Sequence, residues 1–284
     1  MSLKISLLTH PYNLLIDTNS KTLFSQLAEV YPSHILHHGQ NADVFYDFHA
    51  SFCNQAWRPG SAYGLKLGSQ HFRYCHAQSM LPVFEWGFNW FATGFSCHYL
   101  SLHAAVVEKN GVSLILPAPP GSGKSTMCAL LMLHGWRLLS DEHCLINLTT
   151  LEIEPFVRPV SLKNNSIAVM QAYTKQHPCS RVYEDTLKGK MQYLAPTEQS
   201  WQGYQTPARP KWVIFPRYQA NTPLCTHTLT QPVLFERLLE NTFNYSVLGE
   251  QSFQVFMDLL VQLHGLELIY SDNEKMLEFV ETLR

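Results

Sequence analysis

The chain has 284 residues, of which 46% are hydrophobic and 15% charged, and its formal net charge is -2. This composition is typical of a globular protein with a sizeable core, and it excludes the overall basic charge that attracts nucleic acid or an anionic membrane. The first residues lack the apolar segment of a secretory signal, and no apolar run approaches a membrane span, so we expect a cytoplasmic protein with no membrane or nucleic-acid partner.

Residues 1–95 predict a strand-rich N-terminal portion. Short alternating or apolar runs such as KISLLTH, NLLID, DVFYDFHA and YGLKLG indicate strands, and residues 23–30 indicate a helix. The aromatic run LPVFEWGFNWFATGF, residues 81–95, predicts a buried helix, for which packing is a better explanation than ligand stacking.

Residues 96–284 predict an α/β core. YLSLHAAVVE and VSLILPA indicate two strands joined by a hairpin turn at residues 109–111. The next helix follows Gly123 and ends near Gly135, because glycine is favoured just after a helix. WRLLSDE, CLINL, KWVIFPRY and LELIYS predict further strands. Helices are expected after Pro232, over residues 251–264, and from Asp272 or Asn273 to the end of the chain.

APPGSGKST is typical of a loop that binds phosphate groups. The strand of residues 112–116 leads to glycines whose backbone N–H groups can surround phosphate oxygens at a helix start. Lys124 is expected to bind the β- and γ-phosphates, and Ser125 to bind Mg²⁺. The match to the Walker A pattern is incomplete, because Ala118 replaces its first glycine. The expected nucleotide contacts are Pro120, Gly121, Ser122, Gly123, Lys124, Ser125 and Thr126.

Two acidic residues, Asp141 and Glu142, follow the apolar strand in RLLSDEH. Ligands of α/β sheets collect outside the carboxyl ends of strands, so this pair is expected to face the same phosphates as Lys124. In one interpretation Asp141 binds Mg²⁺ and Glu142 activates water, as in an NTPase. In another, Asp141 accepts the proton of a substrate hydroxyl, as in a kinase. In a third, the pair only caps the turn after the strand.

His103 lies in LSLHAAVV, one strand before the phosphate loop. Hairpin pairing would carry this histidine towards the phosphate site and give it a catalytic role. Taken alone, its apolar neighbours Leu102 and Ala104 favour a histidine of the core over a catalytic one. Sequence position alone leaves both alternatives open.

Together, HAAVVEKNG with His103, APPGSGKST and RLLSDE resemble the HPr kinase/phosphorylase family, most closely its HPr-kinase-related kinase A branch. EWGFNW, RPVSLKN, DTLKGK and VIFPRY are similar to that branch too, so the resemblance extends from about residue 80 onward. It implies an α/β fold with a P-loop nucleotide-binding core of the HPr kinase / phosphoenolpyruvate carboxykinase type, preceded by the strand-rich N-terminal portion.

The resemblance also implies an activity, an ATP- and Mg²⁺-dependent phosphotransferase of the serine-kinase type that acts on a hydroxyl of a protein or peptide. Lys124 would bind phosphates, and Asp141 would be the general base, with His103 beside it to hold or tune it. Ser125 and Glu142 would bind Mg²⁺. Because the parent family forms hexamers, the resemblance implies a homo-oligomer.

The chain departs from the parent family after the acidic pair. The Glu-x-Arg-Gly stretch of that family is missing, and FVRPVSLKN stands in its region, so neither HPr as substrate nor the reverse phosphorylase reaction is expected from the resemblance. The cations expected to contact phosphate or substrate are Arg158, Lys163, Lys188 and Lys190. The alternatives to a kinase are a P-loop NTPase or switch and a non-catalytic nucleotide-binding partner protein.

Overall fold

The computed structural model describes residues 2–54, 63–74, 79–119 and 121–283. In these ranges the chain is a mixed α/β protein with mixed sheets, which confirms the fold class at that level. By its internal contacts it divides into two compact units, Met1–Ala92 with Ser161–Pro196 and Thr93–Val160 with Thr197–Arg284. The predicted division near residue 95 stays a prediction.

The described elements are as follows in chain order. The strands are β1 (Leu3–Leu8), β2 (Asn13–Thr18), β3 (Leu36–His38), β4 (Phe48–Asn54), β5 (Tyr63–Leu67), β6 (Gln70–Tyr74), β7 (Tyr99–Lys109), β8 (Val112–Pro117), β9 (Arg137–Ser140), β10 (His143–Asn147), β11 (Ile153–Glu154), β12 (Val160–Lys163), β13 (Tyr183–Thr186), β14 (Gly189–Leu194), β15 (Trp212–Tyr218), β16 (Cys225–Thr228) and β17 (His264–Tyr270). The helices are α1 (Lys21–Ala28), α2 (Met80–Phe95), α3 (Lys124–Leu133), α4 (Asn165–Gln171), α5 (Glu198–Gln202), α6 (Gln231–Leu239), α7 (Tyr245–Leu248), α8 (Glu250–Leu260) and α9 (Asn273–Glu281).

The first unit contains a six-stranded sheet in the order β3-β1-β2-β4-β5-β6 and a three-stranded sheet in the order β12-β14-β13. The larger sheet is antiparallel except where β2 pairs with β4. Helix α2 approaches β5 closely, since a side chain at Gly87 would collide with Leu65. The helix predicted there is confirmed, but its burial is confirmed in part: Phe84 and Phe88 are buried, whereas Trp86 and Trp90 are exposed.

The second unit is built on an eight-stranded sheet in the order β11-β10-β7-β8-β15-β17-β16, with β9 also paired to β7. Strands β8, β15 and β17 are parallel neighbours. Strand β9 runs in the same direction, because β8 and β9 are both antiparallel to β7. The carboxyl ends of β8, β9, β15 and β17 therefore lie at one edge of the sheet, where α/β proteins bind ligands.

The hairpin between β7 and β8 confirms the predicted turn. Asn110 and Gly111 have φ of 53° and 79°, the left-handed values that a tight hairpin turn requires, and Lys109 pairs with Val112. Leu102 and Val106 of β7 pack into the core with residues of α6 and α8. Because side chains alternate along a strand, His103 lies on the opposite face.

Some predicted element ends differ from the structure. Helix α8 ends at Leu260 instead of residue 264, and the strand predicted from residue 43 begins at Phe48. The apolar pattern misled at the end of α8, because Leu263 packs into the same core after the helix has ended. None of the helices in the described ranges combines the length and apolar character needed to cross a lipid bilayer.

Candidate functional site

A glycine loop, residues 118–123, joins β8 to α3, and all of it except Pro120 lies within the described residues. Gly121 and Gly123 have φ of 87° and 95°, a backbone conformation that other residues adopt only with strain. The Ser122 N–H donates to the Pro119 carbonyl at 3.3 Å. Among the described residues no group forms a hydrogen bond with the buried Ser122 hydroxyl.

The first residues of α3 contact one side chain from β7 and one from the turn that follows β9. The ammonium of Lys124 is 2.9 Å from Nε2 of His103 on β7, and Lys124 is buried. An ammonium has no acceptor, so in this contact Nε2 of the histidine accepts and its proton lies on Nδ1. The Ser125 hydroxyl donates to Oδ2 of Asp141 at 3.4 Å. These two contacts bring four predicted site residues together at the start of one helix.

Asp141 and Glu142 lie at a break between two strands that follow the same side of β7. Ser140 of β9 pairs with Val106, and His143 of β10 pairs with His103, so the acidic pair lies opposite residues 104 and 105. The Ser140 hydroxyl accepts hydrogen bonds from the backbone N–H groups of Glu142 at 3.4 Å and His143 at 3.0 Å. This turn interrupts the ladder along β7 between β9 and β10. It also fixes the backbone from which Asp141 projects.

His143 is a site residue that the sequence analysis missed. It lies directly opposite His103 in the antiparallel ladder and is 2% exposed. Burial, followed by the nearby charge of Arg158, lowers its pKa from 6.5 to about 3, which keeps the ring neutral. Its place two residues after Asp141 was the available signal.

Aromatic rings surround the two histidines. The ring of Phe243 is centred 5.6 Å from His103 and 5.2 Å from His143, and the ring of Phe156 is 5.9 Å from His143. The guanidinium of Arg158, also buried, lies 4.7 Å from the centre of the Phe156 ring. Arg158 is therefore the predicted cation that lies in the same unit as Lys124 and close to the histidine pair.

A distant segment holds β7 in place beside the site. The backbone N–H of His103 donates to the Asn241 carbonyl at 2.7 Å, and that of Phe243 donates to the Ser101 carbonyl at 2.9 Å. Asn244 accepts from the Ser101 N–H at 3.0 Å and donates to the Tyr99 carbonyl at 2.8 Å. Sequence patterns gave no signal for these contacts, which join residues more than a hundred positions apart.

Two tyrosines at the ends of β15 and β17 pack against the glycine loop. The backbone N–H of Tyr218 donates to the Ser122 carbonyl at 3.1 Å. A Cβ at Gly123 would lie 3.4 Å from Cβ of Tyr218 and 3.4 Å from the phenolic oxygen of Tyr270. Tyr270 is buried, whereas Tyr218 is 52% exposed. Burial, followed by the nearness of Tyr218, raises the pKa of Tyr270 well above its usual value.

Oxygen ligands for a metal ion come from the start of α3 and from the acidic pair. In the described part of the chain, no group of three or more His, Cys, Asp or Glu side chains forms a metal site. Mg²⁺ does not require such a group, because it is usually bound by one or two protein oxygens together with phosphates and water. The close approach of the Ser125 hydroxyl to the Asp141 carboxylate provides hard oxygen ligands of the kind that Mg²⁺ prefers.

The other predicted cations belong to the first unit. Lys163 ends β12, Lys188 lies in the turn between β13 and β14, and Lys190 lies in β14. Lys190 forms an exposed ion pair with Glu184 at 2.7 Å, which ordinary surface chemistry explains. Thr126, in the second unit, follows Ser125 in the first turn of α3. The roles proposed for these residues stay predictions.

Comparison with known proteins gives the site no assignment by similarity. No protein-family model matches the sequence, and no curated protein matches it significantly. The chemistry of the site must therefore be argued from its own residues.

Proposed function

We propose that the protein is an ATP- and Mg²⁺-dependent phosphotransferase with a P-loop core of the HPr kinase type, which transfers the γ-phosphoryl group to a hydroxyl of a protein or peptide. The observation that supports this proposal best is the pair of contacts at the start of α3, Lys124 with His103 at 2.9 Å and Ser125 with Asp141 at 3.4 Å. They bring a cation, a hydroxyl and a carboxylate to the edge of the sheet where ligands bind.

The phosphates would be bound by the glycine loop and Lys124. Left-handed glycines allow successive backbone N–H groups to point towards one anion, and a buried ammonium adds a full positive charge. In this proposal the ammonium leaves Nε2 of His103 or shares its protons with a phosphate oxygen. Ser125 and Glu142 would hold Mg²⁺, which supplies positive charge to the phosphates when bound.

Asp141 would be the general base. The acceptor hydroxyl oxygen forms a bond to the γ-phosphorus, the bond from that phosphorus to the ADP oxygen breaks, and the hydroxyl proton moves to the Asp141 carboxylate. The turn at Ser140 keeps this carboxylate at the strand end, and 6% exposure limits competition from bulk water. His103 would act on the reaction by positioning Lys124.

The deciding experiment incubates the protein with γ-labelled ATP and fractionated cell lysate, and compares the wild type with Asp141→Asn. Asparagine keeps the size of the side chain but cannot take the proton. We expect label transfer to fall by about a hundredfold or more while ATP affinity changes little. Asp258→Asn, an exposed carboxylate on α8, is the matched control and should transfer label normally. Normal transfer by Asp141→Asn would exclude Asp141 as the base.

Phosphate release without an acceptor and the melting temperature with ATP, measured beside label transfer, separate the two alternatives. An NTPase would release phosphate steadily without an acceptor, and Glu142→Gln would be its damaging substitution. A non-catalytic nucleotide-binding protein would show a higher melting temperature with ATP but neither release nor transfer. Either result would refute the kinase proposal.

A further inference from the structure

An exposed tyrosine is held by backbone hydrogen bonds beside the glycine loop, and neither phosphate binding nor proton transfer uses it. Tyr218 ends β15, and its side chain is 52% exposed. Its backbone is held on both sides, because the Tyr218 N–H donates to the Ser122 carbonyl at 3.1 Å and the Gln219 N–H donates to the Tyr270 carbonyl at 2.9 Å.

The side chain of Tyr218 also packs against the ring of Tyr270. The ring of Tyr270, which is 1% exposed, lies 5.8 Å from the ring of Tyr218 at an interplanar angle of 83°. Edge-to-face packing of this kind is favourable and restricts the rotation of the Tyr218 ring. One part of the Tyr218 ring therefore rests on a buried partner, and the remaining part is open to solvent.

Position relates this open ring to a nucleotide. Strands β8 and β15 are parallel neighbours, so the loop that follows β8 and the last residue of β15 lie at the same edge of the sheet. The base of a nucleotide is joined to its phosphates through a single ribose. A base whose phosphates occupy the glycine loop must therefore lie close to the rim of that loop.

We propose that Tyr218 is the stacking surface for the base of the bound nucleoside triphosphate. The inference rests on the proposed nucleotide site and adds the element that this site lacks, a contact for the aromatic end of the ligand. Bases stack on tyrosine rings largely without regard to their hydrogen-bonding groups, so this contact provides affinity for nucleotides over inorganic polyphosphate. Tyr270 is the positioning residue that holds the stacking ring.

The test compares the dissociation constants of ATP and inorganic tripolyphosphate, both with Mg²⁺, for the full chain by calorimetry. For Tyr218→Ala we expect ATP binding to weaken by about tenfold or more, and tripolyphosphate binding to change by less than about twofold. Tyr218→Phe keeps the ring and should bind ATP within about threefold of the wild type. Phe253→Ala removes a comparably exposed ring of the same unit, 48% exposed on α8, and should change neither constant.

The outcomes separate stacking from mere support of the loop. If both ligands weaken in parallel, Tyr218 only supports the loop and the inference is wrong. If the wild type binds ATP and transfers its phosphate but Tyr218→Ala binds ATP normally, the inference fails and the proposed function stands. If the wild type binds neither ligand, the proposed function fails and the inference fails with it.

A second variant gives an answer even if Tyr218→Ala does not fold. Tyr218→Trp keeps an aromatic surface and adds a fluorescent indole at the proposed stacking position. ATP should quench the additional emission of this variant relative to the wild type, and tripolyphosphate should leave it unchanged. Equal responses to the two ligands would overturn the inference.

Discussion

The ammonium of Lys124 lies 2.9 Å from Nε2 of His103, so the first residue of α3 is joined to the strand that crosses the middle of its sheet. This contact gives the buried ammonium a hydrogen-bond acceptor. A phosphate would offer the same ammonium a stronger, charged acceptor.

Removing this ammonium should weaken nucleotide binding. For Lys124→Ala we expect the dissociation constant of ATP, measured by calorimetry, to rise by about tenfold or more, because hydrogen bonds to charged groups contribute about 1.5–3 kcal/mol. Lys109→Ala is the control, because Lys109 forms a partly exposed ion pair with Glu281 and has no proposed role in phosphate binding. Equal effects of the two substitutions would contradict a phosphate role for Lys124.

A methyl group at Gly123 should weaken ATP binding by more than the accompanying loss of stability explains. Gly123→Ala introduces left-handed strain of about 1–2 kcal/mol and places a Cβ 3.4 Å from both Tyr218 and Tyr270. Gly111→Ala introduces similar strain in the β7–β8 turn, with no atom within 4 Å of the added Cβ. Both variants should melt at lower temperature, but only Gly123→Ala should weaken ATP binding. Undisturbed ATP affinity in Gly123→Ala would argue against a phosphate loop.

Acid should destabilise the protein through His143. An unfolded histidine takes up a proton as the pH falls through about 6.5, whereas burial and Arg158 lower the folded pKa of His143 to about 3. Between these values the unfolded chain binds the proton and the folded chain does not, so the free energy of unfolding falls by about 1.4 kcal/mol for each pH unit.

Urea unfolding of the wild type and His143→Leu at several pH values between 7 and 4 measures this effect. The difference in unfolding free energy between the two proteins should shift in favour of the variant as the pH falls, because leucine binds no proton. Parallel pH profiles would show that His143 is protonated to the same extent in the folded and unfolded chain.

Loss of the Asn244 side chain should destabilise the second unit. This residue is 4% exposed and bonds the backbone of β7 and of the turn before it, accepting from Ser101 and donating to Tyr99 and Ser96. Asn244→Ala should lower the free energy of unfolding by about 2–4 kcal/mol, because buried backbone groups lose their partners. Gln254→Ala, at an exposed position of α8, should change it by less than about 0.5 kcal/mol. Similar urea midpoints for both variants would contradict this account.

Local patterns predicted much of the second unit. The turn at Asn110 and Gly111, the helix between Gly123 and Gly135, and the cap at Asp272 were all marked by residues whose backbone preferences are strong. The contact of His103 with Lys124 agrees with the expectation that hairpin pairing carries the histidine to the loop, because the register of a two-residue hairpin is fixed by its turn.

What the sequence left open depends on pairing between distant segments. The position of His143 opposite His103 follows from the register of β7 with β10, and the support of β7 by residues 241–244 follows from a long-range bridge. Neither has a local signature, because any apolar strand can pair with several others. Tyr218 was recognised as part of a strand, but its exposure and its contact with the loop depend on the neighbouring β17.

The irregular pairing between β9 and β7 restricts the number of residues that can separate Arg137 from Asp141. Val107 pairs with Leu138 while Val106 pairs with Ser140, so one extra residue is already accommodated there. Adding or deleting one further residue between Arg137 and Asp141 would rotate the strand end by half a turn and point Asp141 to the other side of the sheet. Length changes should therefore be tolerated in the turn at residues 148–152 and rejected in this strand, which a scan of single-residue insertions would reveal.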